Sequence, residues 1–148
     1  MIRAATLDDV DAILRLGEAL HAESSYRSMP FVTEKVRGLM EALIGGAGVV
    51  FVSELAGIGV VGGIAGAVAA HWFNHELHGF DYSFFVVARY RSGTMALRLM
   101  CAFESWCRAR GAVCVRLGIS TGLDVEATAR FYEWAGYKRI GPLLTKGL

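Results

Sequence analysis

Proline is nearly missing from this chain, with two residues in 148. Eighteen glycines stand against them, so tight turns and close backbone approaches fall to glycine. An excess of charge of one sign is also missing. The net charge is +1, which offers nucleic acid or an anionic membrane surface no basic face, and neither partner is expected. Cysteine is scarce: Cys101, Cys107 and Cys114 form an odd set without C-x-x-C spacing. Cys101 and Cys107 fall within one predicted helix, which argues against a structural disulfide. Buried, reduced thiols of a cytoplasmic protein are the expectation. The first eleven residues carry a charge by position 3 and no apolar centre, so no signal peptide is expected. There is no internal repeat, linker or low-complexity tract. At 54% hydrophobic and 20% charged residues, residues 1–148 read as a single domain with a real core.

One long uncharged run needs weighing. Leu55 to Phe73 holds no Asp, Glu, Lys or Arg, and Gly62 and Gly66 form a G-x-x-x-G. A spanning helix needs about 20 mainly apolar residues. Much of this run is Gly and Ala, His71 interrupts it, and Gly57 and Gly59 read as a hairpin turn. A strand from Ile58 to about Ala70 is expected, with its glycines marking a bulge or close packing. No membrane partner is expected.

The remaining pattern alternates. Ile2–Ala5 reads as a strand. Thr6 with Asp9 three residues on resembles a capping box, opening a helix with Val10, Ile13, Leu14, Gly17 and Leu20 on one face. Residues 21–30 are polar and irregular. Thr33 starts a second helix that Gly45-Gly46 and Gly48 end. Val49–Ser53 is a strand, Trp72–Gly79 a loop or short helix, and Phe80–Val87 a strand. Ser92–Arg110 carries the best-defined amphipathic stripe, through Met95, Leu99, Phe103 and Trp106. Ala112–Ile119 is a strand. Asp124 caps a helix to Trp134 with Gly136 at its end, and Lys138–Thr145 is a last strand. The order predicts a mixed α/β domain.

Chemistry is concentrated at Val86-Val87-Ala88-Arg89-Tyr90-Arg91-Ser92-Gly93-Thr94-Met95-Ala96. A strand runs into a short basic turn with a glycine, then into a long helix. Such a helix start presents free N–H groups and the positive end of the macrodipole, which suits a phosphate. Arg89 and Arg91 stand where they could bond the same anion. An ordinary strand-to-helix connection with solvated arginines has the same pattern.

These residues resemble the GNAT N-acetyltransferase superfamily, whose cofactor loop is Gln/Arg-x-x-Gly-x-Gly/Ala. Arg91-Ser92-Gly93-Thr94-Met95-Ala96 agrees at Arg91 and Ala96 and departs at Thr94, where the family usually has glycine. Val86 stands five residues before Arg91. The family's second signature, Tyr-x-x-x-Gly-Phe/Tyr, is matched by Tyr132-Glu133-Trp134-Ala135-Gly136-Tyr137, with Ala129 three residues before Tyr132. Asp124-Val125-Glu126 stands where the family often has Asn. The resemblance spans nearly the whole chain. It implies a central, mostly antiparallel sheet flanked by about four helices. It also implies acetyl-CoA as acyl donor, with the pantetheine arm at Val86 and Val87 and the pyrophosphate at Arg91, Ser92, Gly93, Thr94, Met95 and Ala96. The resemblance further implies a primary amine of a small molecule or peptide as acceptor, with Tyr132 as the general acid at the thioester sulfur. Between a phenol near 10 and a thiol near 8.5, that proton transfer is uphill by about 2 kcal/mol. A non-catalytic acyl-CoA-binding domain of the same fold is the alternative.

The attacking amine must lose a proton. Asp81 is the first candidate for the base, on a strand whose alternation puts Asp81, Ser83, Phe85 and Val87 on one face. His75 and Glu76 compete from the preceding loop, and Glu54 on weaker grounds. His71, His75 and His78 have the spacing of one helical face, but strand and loop positions fit them better, and no metal site is expected. Histidines lining an acceptor pocket fit better, with Trp72, Phe73 and Phe80 as its apolar wall or as cover for the sheet. An exposed strand or apolar surface is compatible with a homodimer.

Overall fold

The computed structural model describes residues 1–91 and 94–148. The elements are β1 (Ile2–Ala4), α1 (Val10–Glu23), α2 (Thr33–Ala42), β2 (Val49–Leu55), β3 (Gly59–Ala70), β4 (Leu77–Val86), α3 (Met95–Ala109), β5 (Ala112–Arg116) and α4 (Val125–Trp134). The five strands lie in the order β1-β2-β3-β4-β5. The first three pairings are antiparallel and β4–β5 is parallel. The α3 crossover makes that last pairing possible, because parallel neighbours need a long connection. The expected mixed α/β fold, mostly antiparallel with four helices, is the one observed.

Each sheet face has its own core. On one, Ile13 of α1 and Met40 of α2 pack on Val50, Val52, Ala65 and Ala67. On the other, Leu99, Phe103 and Cys107 of α3 pack on Val49, Ile64 and Val86. Phe103 is fully buried, and its loss to alanine would cost about 3–5 kcal/mol. Helix α3 comes close because the sheet is bare beneath it. A Cβ at Gly66 would lie 2.6 Å from the Phe103 ring, and one at Gly79 would lie 2.4 Å from Cys107 Sγ. Helix α4 docks on the same side, where the Tyr137 hydroxyl just beyond it donates to Glu104 of α3 at 2.8 Å.

The uncharged run at 55–73 is the hairpin partner and central strand β3, and among the described residues no helix is long and apolar enough to cross a membrane. The Thr6–Asp9 box forms, with the Thr6 N–H donating to Asp9 Oδ2 at 2.8 Å.

Several expectations are corrected. Leu77–Gly79 belong to β4 rather than to a loop or helix. Strand β5 stops at Arg116 instead of Ile119, because the Gly118 N–H is taken by Asp81 Oδ1 at 3.1 Å. Lys138–Thr145 forms no strand. Pro142 lacks a ladder donor, and Arg139 turns back to Glu126 and Glu133 of α4 at 2.6 and 2.8 Å. Asp124 sits at the start of α4 in a left-handed conformation (φ 40°), with no capping bond from its side chain among the described residues. Of the cysteines only Cys107 is buried; Cys101 and Cys114 are exposed.

Candidate active site

The site arises where two parallel strands part. Strand β4 pairs with β5 only from Leu77 to Phe80, opposite Ala112 to Arg116. The Asp81–Gly118 bond is the last link between them. Beyond it β4 continues to Val86 with its outer edge unpaired by β5, and a cleft of about 500 Å³ opens. Its walls are β4, residues 118–121 and α4, and the end of α1 with the loop after it.

A bulge in β4 decides which side chains enter. Opposite β3 the register runs Ala65 to Ser83 and then Gly66 to Asp81, so Tyr82 is an extra residue. A bulge shifts the two-residue alternation by one. Asp81 therefore shares the α3–α4 face with Phe84 and Val86. Ser83 and Phe85 turn to the α1–α2 side, where they line a second cavity with Ile13 and Met40. The expected common face of Asp81, Ser83, Phe85 and Val87 is thus broken at Tyr82.

Tyr132 projects from α4 toward this face, buried at 8% exposure. Its ring stacks on Phe84 at 6.3 Å between centroids. Sequence accounts for its position: Ala129 and Tyr132, three residues apart, form the buried stripe of α4, and Gly136 (φ 98°) turns the chain so that Tyr137 N–H bonds Tyr132 O. Among the described residues the Tyr132 hydroxyl has no hydrogen-bond partner. Burial, then the nearby Asp81 charge, push its pKa up. Burial also pushes the Asp81 carboxyl up, opposed by the Gly118 amide. Neither group has an ion-pair partner among the described residues.

The cofactor candidates divide. The Val87 N–H is donated to Val61 O at 2.9 Å, so Val87 faces β3. Alternation then turns the backbone groups of Val86 to the open edge, where Val86 O accepts from Arg91 Nε at 2.8 Å. Arg91 thus braces the strand end, and with Ala96 of the first turn of α3 it lines the cleft. Met95 packs against the α3-side core instead. Thr94 precedes the helix, exposed, with its carbonyl accepting from Arg98 N–H at 2.9 Å. The cofactor positions Ser92 and Gly93 lie outside the described residues. Arg89 stacks over the Tyr90 ring at 4.8 Å and does not line the cleft.

The competing bases lie elsewhere. Glu54 pairs with Arg3 at 2.8 Å on β2. His75 and Glu76 sit on the β3–β4 turn at the far end of β4, as do Trp72 and Phe73, which are 95% and 61% exposed. The His71 and His78 rings stack there at 4.2 Å. Phe80 belongs to the α1–α2 core.

One feature of the site had no signal in the sequence. The loop after α1 is tied across the rim, with Ser25 N–H donating to Thr121 O at 2.7 Å and Ser25 Oγ to Ser120 O at 2.8 Å. Ser and Thr in a polar loop are too common to announce a partner 95 residues away.

No family model and no curated protein sequence matches the chain. Solved structures do. A putative acetyltransferase from Pyrococcus furiosus superposes with a TM-score of 0.76 at 19% identity, covering 100% of this chain and 99% of its own. An acetyltransferase from Trypanosoma brucei gives 0.75 at 19%, with 100% and 99% covered. An aminoglycoside acetyltransferase from an uncultured soil metagenomic sample gives 0.74 at 17%, with 100% and 97% covered. The chain has the fold of the GNAT N-acetyltransferases.

Proposed function

We propose that this chain is an acetyl-CoA-dependent N-acetyltransferase acting on a primary amine by direct attack. The observation that carries the reading is the meeting of Asp81 and Tyr132 in the wedge between β4 and β5. A proton acceptor and a proton donor stand there without cationic partners.

The residues fit the donor. The open edge of β4 at Val86 suits an amide-rich arm. Arg91 and the first turn of the 15-residue helix α3 suit a pyrophosphate, since anions are favoured at helix N-termini. When bound, acetyl-CoA supplies an activated acyl carbon. Asp81 accepts the proton of the acceptor ammonium, directly or through one water. The amine nitrogen forms the C–N bond as the C–S bond breaks, and the Tyr132 hydroxyl donates to the departing sulfur. The second proton, lost by nitrogen as the amide forms, leaves CoA as the thiol with Tyr132 neutral. Its raised pKa keeps it protonated at neutral pH, so the donor is always loaded. That same shift makes full transfer costlier than the roughly 2 kcal/mol expected of an ordinary phenol. Strong hydrogen-bond donation to the thiolate is then its main contribution. As part of this reading we place the protein in the cytoplasm.

The test is a thermal melt with CoA and a turnover assay on Tyr132→Phe. Ligand at about 100 times its dissociation constant adds roughly 2.7 kcal/mol, or several degrees at roughly 2–4 °C per kcal/mol. Tyr132→Phe should keep that rise and lose about 10²-fold or more in turnover. A rise with no turnover by the native chain on any amine would favour the binding-domain alternative. No rise would reject the cofactor assignment.

A further inference from the structure

Resting on the acetyltransferase reading, we propose that the acceptor is an amine carrying an apolar tail of phenyl or branched-alkyl size. The tail's seat is a chamber between α1, α2 and the sheet.

The chamber lies on the α1–α2 face, with a volume of about 220 Å³. Ile13, Val36, Leu39, Met40 and Val50 line it, with Phe31 from the loop between the helices. Tyr82 and Ser83 are its only polar side chains among the described residues, and no charged side chain lines it. An apolar cavity of about 150 Å³ already admits a benzene-sized guest and stays dry without one. A polycationic acceptor would find no counter-charge in this chamber, and burying an unpaired ammonium is strongly disfavoured.

The chamber is joined to the reactive cleft by position. Gly17, Tyr82, Ser83 and Phe85 line both. The β4 bulge makes this possible, because it leaves Asp81 on one face and sends Ser83 and Phe85 to the other. Two glycines border the chamber, and Gly17 borders the cleft as well. Gly63 is the cross-strand partner of Phe85, and a Cβ there would touch that ring at 3.5 Å and Phe51 O at 3.0 Å. A Cβ on Gly17 would point toward Phe31, 3.8 Å from its ring. A glycine inside a helix is unfavourable for the helix itself, and here it leaves the doorway unobstructed. A tail in the chamber and an amine in the cleft are connected around the open edge of β4 at Tyr82 and Ser83, which line both.

The experiment compares 2-phenylethylamine with ethanolamine as acceptors, following thiol release from acetyl-CoA. The native chain should favour 2-phenylethylamine in kcat/KM by at least about tenfold, since one or more buried apolar groups discriminate to that degree. Gly17→Leu, which improves helix propensity and fills the doorway, should bring the ratio of the two amines toward one. Phe31→Ala should shift preference to the bulkier 2-(1-naphthyl)ethylamine. Equal use of both amines by the native chain overturns the chamber proposal and leaves the transferase reading standing, as does a ratio untouched by Gly17→Leu. Absence of thiol release with every amine, joined to no CoA-dependent rise in the melting midpoint, overturns the transferase reading and the proposal with it.

Discussion

Two sheltered aspartates at opposite ends of the sheet have opposite fates. Asp9, 8% exposed, receives both Arg3 terminal nitrogens at 2.7 and 2.8 Å, while Arg3 Nε reaches Glu54 at 2.8 Å. The bonds from Arg3 hold its carboxyl down at about 2. Asp81 has only backbone amides, that of Gly118 and its own, and among the described residues no cation, and burial pushes it up. The first carboxylate clasps β1 and β2 to the start of α1. The second is left with unspent basicity, in the wedge where a substrate amine would need it. Burial alone does not single out a candidate base; burial without a counter-charge does.

Substitutions can break the contrast. The largest effect is expected from Asp81→Asn. It keeps an oxygen for the Gly118 N–H but removes the proposed base, so kcat/KM should fall by about 10²-fold or more while the melting midpoint at neutral pH holds or rises. Asp9→Asn should do the reverse. It leaves Arg3 underpaired, costs about 2–3 kcal/mol in denaturant unfolding, and leaves CoA binding intact.

The pH dependence sharpens the same contrast. Asp9 falls from 3.8 unfolded to about 2 folded. It stabilises the fold above pH 4 by about 2 kcal/mol, and that stability is lost as pH falls toward 2. Asp81 has a raised folded pKa, so its contribution is greatest below the unfolded value and is lost as pH rises through the folded one. Denaturant titrations from pH 2 to 7 should therefore show Asp9→Asn flattening the acid limb. Asp81→Asn should remove a loss on the higher-pH side. A smaller effect tests the α3–sheet packing. Gly79→Ala places a Cβ 2.4 Å from Cys107 Sγ and should cost about 1–3 kcal/mol. Smallest is Tyr137→Phe, which forfeits the bond to half-buried Glu104 for about 1 kcal/mol.

Much of this contrast was legible in the sequence, and the parts that were not have a physical reason. Tyr132 stood out in the sequence because Tyr132, Gly136 and Tyr137 match a short, local family signature. The Thr6–Asp9 box was local as well. Asp81 was expected to share a face with Ser83, Phe85 and Val87, and it does not, because strict alternation carries no signal for the extra residue Tyr82. That bulge is fixed by pairing with β3, where Gly66 must stay bare beneath Phe103. Lys138–Thr145 had the apolar content of a strand, but Pro142 and the Arg139 pairing to α4 outweigh it. The Asp9–Arg3–Glu54 clasp joins residues up to 51 positions apart, and charges so common on surfaces do not announce such a partner.

The most direct measurement is a carbon-13 NMR titration of the aspartate side-chain carboxyls, assigned with Asp9→Asn and Asp81→Asn. It needs no substrate. The account predicts an Asp9 midpoint near 2 and an Asp81 midpoint clearly above the ordinary aspartate range of about 3.9. An Asp81 midpoint at or below that range would contradict it, since the carboxylate would then be a solvated or paired surface group with no excess basicity for an amine.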